Sequence, residues 1–121
     1  MDVVRVLIVD DQEAFLSAMR AVVKATDGFV VAGEARSGEE SLAAAKDLAP
    51  DLVLMDVHLP GLDGIAATRL LTRSPGGPVV VLISSYDADE VDASGSGAAS
   101  YLEKATFGPD RLSAAWAAAC A

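Results

Sequence analysis

Cysteine is nearly absent from the 121-residue chain: Cys120 stands alone, so no disulfide closes within it, and a reducing compartment is the expected setting. Basic residues are scarce as well. Lys and Arg number 9 against 18 Asp and Glu, a net charge of −9, and they nowhere form a run, which argues against a nucleic-acid surface carried by this chain itself. Long apolar stretches are missing too. The longest uninterrupted aliphatic stretch, Val79 to Ile83, falls far short of the roughly 20 residues that span a bilayer, so no membrane association is expected. At the amino terminus Asp2 stands where a signal peptide needs positive charge, and Asp10-Asp11 ends the apolar run early. Nothing there points to secretion, and a cytoplasmic location is expected. What is present is a composition 52% hydrophobic and 22% charged, too apolar for intrinsic disorder and of a length that suits one domain over residues 1–121.

Short aliphatic runs alternate with amphipathic segments, the pattern of parallel strands joined by crossover helices. Val3 to Val9 is β-branched and nearly all apolar, as a strand covered on both faces requires. From Gln12 to Ala25, Phe15, Met19 and Val22 recur at helical spacing with Leu16 and Val23 beside them. Phe29 to Ala32 reads as a short second strand. Ser37 precedes Glu40 by three positions, a capping-box pattern, and Leu42, Ala45 and Leu48 carry an apolar face until Pro50 stops the helix. Asp51 to Val57 is the third strand, Ile65 to Arg73 the next helix, Val79 to Ile83 the fourth strand and Ser100 to Leu102 a fifth. Between the last two, Asp87 to Gly97 is rich in glycine, serine and acids, and only a short or frayed helix is expected. A final helix opens at Gly108-Pro109-Asp110, with Leu112, Ala115, Trp116 and Ala119 on one face. The expected fold is α/β, a doubly wound five-stranded parallel sheet with helices on both faces. Its reactive residues belong at the carboxyl ends of the strands.

Asp10 and Asp11 lie at such an end, and so does Asp56. Taken alone, the adjacent pair is accounted for by one acid capping the next helix and the other being solvated. Asp56 resists that account, because a carboxylate inside an aliphatic strand is destabilising unless hydrogen bonds or a cation compensate. Three converging carboxylates repel one another unless a cation joins them, and Mg²⁺, which takes oxygen ligands and keeps room for a phosphate, fits that chemistry. Three acids and one Mg²⁺ leave a single negative charge, which Lys104 after the fifth strand is placed to neutralise. Ser84 and Ser85 close the fourth strand with hydroxyls able to donate to a phosphoryl oxygen. Other residues have plainer readings. His58 reads as a solvent-facing loop side chain, Asp63 as a helix cap, Trp116 as a packed anchor, and Gly95-Ser96-Gly97 lacks the lysine of a phosphate loop.

The acidic pair in VLIVDDQ, the strand and loop DLVLMDVHLPGLDG, the hydroxyl in VVVLISSYD and the lysine in GAASYLEK occur in order along the chain. Together they resemble the receiver domain of two-component response regulators over essentially the whole length. The stretch GEARSGEESLAAAKDLAPDLVLMDVHLPGLDG is most similar to receivers that precede a NarL/LuxR-type helix-turn-helix domain. The resemblance implies a flavodoxin-like sheet of strand order 2-1-3-4-5. It also implies that Asp56 accepts a phosphoryl group from a phosphohistidine on a sensor histidine kinase. Asp10, Asp11, Asp56 and the backbone carbonyl of His58 would then hold Mg²⁺. Ser84 takes the place of the family's Thr/Ser, Lys104 that of its lysine, and Tyr101 that of its aromatic switch. On this reading the chain is a phosphoacceptor signalling domain and not an enzyme, although it assists its own Mg²⁺-dependent phosphorylation and dephosphorylation. A homodimer formed on phosphorylation is a further expectation, and DNA would be reached only through an output domain absent from this chain.

Two features depart from the family. Ser84 to Lys104 spans 104 − 84 = 20 positions, slightly shorter than usual, and Glu103 stands where an apolar residue or proline is common. Glu103 would either pair with Lys104 or weaken its hold on a phosphoryl group. Competing readings are a stand-alone receiver acting through protein contacts and a pseudo-receiver that is never phosphorylated. A magnesium phosphatase would carry Asp-x-Asp after the first strand, and a flavin module a hydroxyl-rich loop there; this chain has adjacent acids.

Overall fold

The computed structural model describes residues 3–73, 75–85 and 95–120. Its elements run β1 (Val4–Val9), α1 (Glu13–Ala25), β2 (Phe29–Ala35), α2 (Gly38–Leu48), β3 (Leu52–Asp56), α3 (Gly64–Thr72), β4 (Val79–Ser84), β5 (Ser100–Glu103), a 3-10 turn at Lys104–Thr106, and α4 (Pro109–Ala119). Every strand pairing is parallel, and the sheet order is β2-β1-β3-β4-β5, as expected. Most of the segment expected to form a frayed helix lies outside the described residues. Its end, Gly95 to Gly97, is not helical, and both glycines hold positive φ, at 72° and 91°.

Strand alternation divides the core into two layers. Val6 and Ile8 of β1, Leu52 and Leu54 of β3, and Val81 and Ile83 of β4 face Leu16, Met19 and Val23 of α1 and Leu112 and Ala115 of α4. Their neighbours Leu7, Val9, Val53, Met55, Val80 and Leu82 face the other way, toward Ala67 of α3 and toward Ala44, Ala45 and Leu48 of α2. Because β3 is buried along its whole length, its sequence carries no polar alternation, and Asp56 is the exception that ends it. Trp116 meets Phe29 edge to face, with ring centroids 6.4 Å apart, and is the packed anchor expected.

The strand reading differs most at β2, which continues three residues past Ala32. Gly33-Glu34 looks like a loop by composition, yet the β1 pairing shifts register after Val6 and then matches Leu7 with Gly33, Ile8 with Glu34 and Val9 with Ala35. Glu34 is held from α1 by both nitrogens of an Arg20 fork, at 2.6 and 2.8 Å. On α1 the buried line is Leu16, Met19 and Val23, leaving Phe15 and Val22 half-buried beside it. Helix α2 begins as read, with the Ser37 hydroxyl accepting from the Glu40 amide. Its most buried positions are small ones, Gly38 and Ser41, so its first turn approaches the rest of the protein closely.

That approach generates a test. A Cβ on Gly38 would lie 2.2 Å from the Leu62 carbonyl oxygen, a backbone atom that cannot swing aside. Gly38→Ala is expected to cost about 1–3 kcal/mol through overpacking, read as a lower urea midpoint with an unchanged slope. An unchanged midpoint would show that α2 and the loop before α3 part without strain.

Candidate functional site

Neighbouring strands β1 and β3 end side by side, and their ends carry the acids. Asp10, one residue past β1, still belongs to the sheet, since its amide donates to the Ala35 carbonyl at 3.1 Å. One of its carboxylate oxygens, Oδ1, accepts from the Gln12 amide at 2.8 Å, which turns the chain toward α1. Asp56 closes β3 opposite Ile83. Asp10 is wholly buried and Asp56 is 4% exposed, whereas Asp11 is open to solvent. One carboxylate oxygen from each of the three lies within 4.8 Å of the others.

Lys104, the first residue after β5, reaches into this cluster. Its Nζ stands 2.8 Å from Asp10 Oδ2 and 3.5 Å from Asp56 Oδ1, with only 13% of the side chain exposed. Burial pushes the Asp56 carboxyl up to about 6 from 3.8, and the neighbouring Asp10 charge adds to that rise. The Lys104 ammonium and the His58 backbone amide oppose it without cancelling it. Under the ammonium lies the ring of Phe15, whose centroid is 4.2 Å from Nζ.

The cluster opens into a cleft of about 230 Å³ lined by Asp11, Gln12, Asp56, His58, Ser85 and Lys104. Every charged residue expected at the site is therefore present, and the exposed His58 borders it. Ser84 is wholly buried at the end of β4, and the wall there belongs to its neighbour Ser85. Tyr101 is half-buried in β5 opposite Leu82, packed on the layer that also holds α2 and α3. Asp63 stays out of the acid cluster and caps α3, accepting from the Ala66 amide at 2.8 Å. Glu103 forms no ion pair among the described residues; it is exposed and borders a separate groove with Tyr101, Leu102, Thr106 and Arg111. Sequence reasoning did not reach Gln12 as a cleft residue or Phe15 as the surface beneath the lysine.

These residues suit a small hard cation. Asp10 Oδ2 is buried and, although the Lys104 ammonium is near, it receives no directed hydrogen bond. An acceptor of that kind beside two further carboxylates matches the all-oxygen ligation of Mg²⁺, and the cleft leaves space for its remaining ligands. Such an ion would supply the charge that one lysine cannot.

The sequence profile of the response regulator receiver domain matches residues 6–117. Among curated proteins, the response regulator GacA of Pseudomonas viridiflava is 42% identical over 103 residues, covering 84% of this chain and 48% of that protein. The transcriptional regulatory protein LiaR of Bacillus subtilis is 38% identical over 103 residues, covering 84% of the chain and 49% of LiaR. The chain thus spans about half the length of these relatives. Among solved structures, the signal receiver domain of the response regulator NarL from Mycobacterium tuberculosis superimposes with a TM-score of 0.88 at 30% identity, over 99% of this chain and 98% of that one.

The raised Asp56 pKa has a measurable sign. A group that binds its proton more tightly when folded contributes stability below the unfolded value, 3.8, and loses it as pH rises through about 6. In metal-free buffer at pH 8, Asp56→Asn is expected to stabilise the fold by at most about 3 kcal/mol, seen as a higher melting temperature. The gain should shrink as pH falls through 6 toward 4. A gain constant across that range would show that the buried charge is not what the substitution relieves.

Proposed function

The chain belongs to the response regulator receiver domain family, and from that premise we propose that Asp56 is its phosphoacceptor, served by Asp10, Asp11 and Lys104. The observation that carries the assignment is the burial of Asp56 at the end of a central strand, within reach of Lys104 and open to the cleft. A carboxylate oxygen of Asp56 attacks the phosphorus of a phosphohistidine on a sensor histidine kinase. The new P–O bond forms as the P–N bond breaks, and the leaving nitrogen keeps the electron pair. Such a transfer needs little covalent help, so the protein's part is alignment and charge neutralisation.

Asp56 is held in line by β3 on one side and by the His58 backbone amide on the other. Lys104 already pairs with Asp56 at 3.5 Å and is placed to meet the charge that an acyl phosphate adds. A bound Mg²⁺, ligated by Asp10, Asp11, Asp56 and the His58 carbonyl, would neutralise the acids and hold a phosphoryl oxygen. Either hydroxyl at the end of β4 is near enough in sequence to donate to the phosphoryl group; family position favours Ser84, and the cleft lining favours Ser85. Tyr101, half-buried on the opposite layer, is the aromatic residue proposed to respond. The module then acts on an output outside this chain. Transcription is the proposed output, supported by the likeness to LiaR, and the cytoplasm is the proposed location. No helix among the described residues is long and apolar enough to cross a membrane.

Incubation with acetyl phosphate and Mg²⁺, followed by intact-mass spectrometry, tests the assignment. One phosphoryl group is expected on the wild type and none on Asp56→Asn or on the wild type kept in chelator. Label on His58 or another residue would overturn it, and an unlabelled wild type would make the chain a pseudo-receiver.

A further inference from the structure

We propose that Phe15 is a positioning residue: its ring is the surface on which the Lys104 ammonium rests and from which it is aimed at Asp56. The inference rests on the phosphoacceptor reading of Asp56. It starts from the packing of α1. The helix buries Leu16, Met19 and Val23 completely. Phe15 is turned off that line and half-buried, in the first turn of the helix, where Asp10 and Gln12 bring the chain to the rim of the cleft. Its ring packs against the core layer of α1 and α4 and also reaches the ammonium of Lys104.

Its position gives it a task. Lys104 Nζ lies 4.2 Å from the ring centroid, inside the range in which the negative face of an aromatic ring attracts a cation. Two carboxylates approach the same ammonium, Asp10 at 2.8 Å and Asp56 at 3.5 Å. The nearer one is not the one proposed to react. Lysine has a flexible four-carbon stem and a compact charge, and two carboxylate distances alone leave it free to follow whichever acid is closer. The ring supplies a third point of attachment that belongs to neither acid. A third carboxylate in its place would compete for the ammonium and hold it back, and an aliphatic side chain would fill the space without attracting the charge. An aromatic face attracts without neutralising, so the ammonium keeps its full charge for the oxygens of the transferred group. It also shields that side of the ammonium from water, in keeping with the low exposure of the lysine side chain.

The role separates from ordinary packing because it depends on the ring's electron density as well as its shape. Phenylalanine with one, two or three ring fluorines, placed at position 15 by site-specific incorporation, keeps the size nearly constant while weakening the negative face. Phosphorylation of Asp56 by acetyl phosphate with Mg²⁺ is expected to slow stepwise along that series at an unchanged melting temperature, to a total of roughly three- to tenfold. Phe15→Tyr should retain the wild-type rate, and Phe15→Leu should fall with the most fluorinated ring. A second readout needs neither metal nor donor. Lys104 Nζ lies over the ring at 4.2 Å from its centroid and the ε-methylene is one bond away, so the ε-methylene NMR signals should be shifted upfield in the wild type and return to ordinary positions in Phe15→Leu. Rates that ignore fluorination while the wild type is labelled on Asp56 would overturn the role of Phe15 and leave Asp56 as the phosphoacceptor. ε-Methylene signals at ordinary positions in the wild type would overturn the contact itself. A wild type that takes no phosphate on Asp56 would overturn both.

Discussion

Two carboxylates buried at adjacent strand ends, held by a single ammonium, form the constraint around which the molecule is arranged. Parallel neighbours in a sheet run about 4.8 Å apart, so once β1 and β3 pair, Asp10 and Asp56 cannot avoid each other's field. Burial makes that field costly, and Lys104 offsets only part of it, which is why Asp56 still holds its proton to about pH 6. The remaining imbalance is what a cation bound at the cluster would relieve, and it suits the proposed reaction, which brings in further negative charge. A fully neutralised cluster would be a more stable core and a poorer receiver.

Bringing Lys104 to the cluster uses much of the carboxyl half of the chain. The residue lies just past β5, at the edge of the sheet, and its side chain must cross toward β1 to reach Asp10. Pairing of Val81 with Ser100 and of Ser84 with Glu103 sets how far β5 advances beside β4. The 3-10 turn that follows then holds the lysine at the mouth of the cleft. On the side of β3, glycine does comparable work. A Cβ on Gly64 would lie 2.0 Å from the Asp56 carbonyl oxygen, so only glycine lets α3 start against the strand end and close the intervening loop. That loop is also tied to α2, where Glu39 accepts from the Leu62 amide and Gly61 holds a φ of 69°. Asp56 is therefore reached from a cleft whose walls come from separate elements, each fixed by its own backbone contacts.

The two layers of the core were legible in the periodicities of two and 3.6, because burial and side-chain direction impose those periods on any sequence that folds this way. Asp56 was legible for a related reason, since a carboxylate inside an aliphatic strand has few explanations, and Asp10, Asp11 and Lys104 became legible only through their convergence with it and the family resemblance. The length of β2 was not. Gly33 and Glu34 look like loop residues by composition, and what keeps them in the strand is a register shift against β1 and an arginine on α1, neither of which leaves a local mark. Glu103 was misleading in the opposite sense. Adjacent in sequence to Lys104, it left open a pair with the lysine or a weakened hold on a phosphoryl group, and the pair does not form because successive residues at a strand end point apart: the lysine turns inward to the aspartates while Glu103 remains outside.

By itself the sequence determined the class of fold, the strand order through its likeness to a family, and which acids gather at one end of the sheet. The fold class and the strand-end acids follow from hydrophobic period, turn residues and the right-handed crossover, whereas the strand order came from the resemblance alone. Only the tertiary structure decided what surrounds those acids. That Asp10 vanishes from solvent while Asp11 stays in it, that Ser85 and not Ser84 lines the cleft, and that Phe15 lies beneath the lysine are outcomes of how separate elements meet in space. The physical reason is the same in each case. Electrostatic and cation–π energies depend on distance and on the dielectric around the charges, and both are set by residues far apart in the chain.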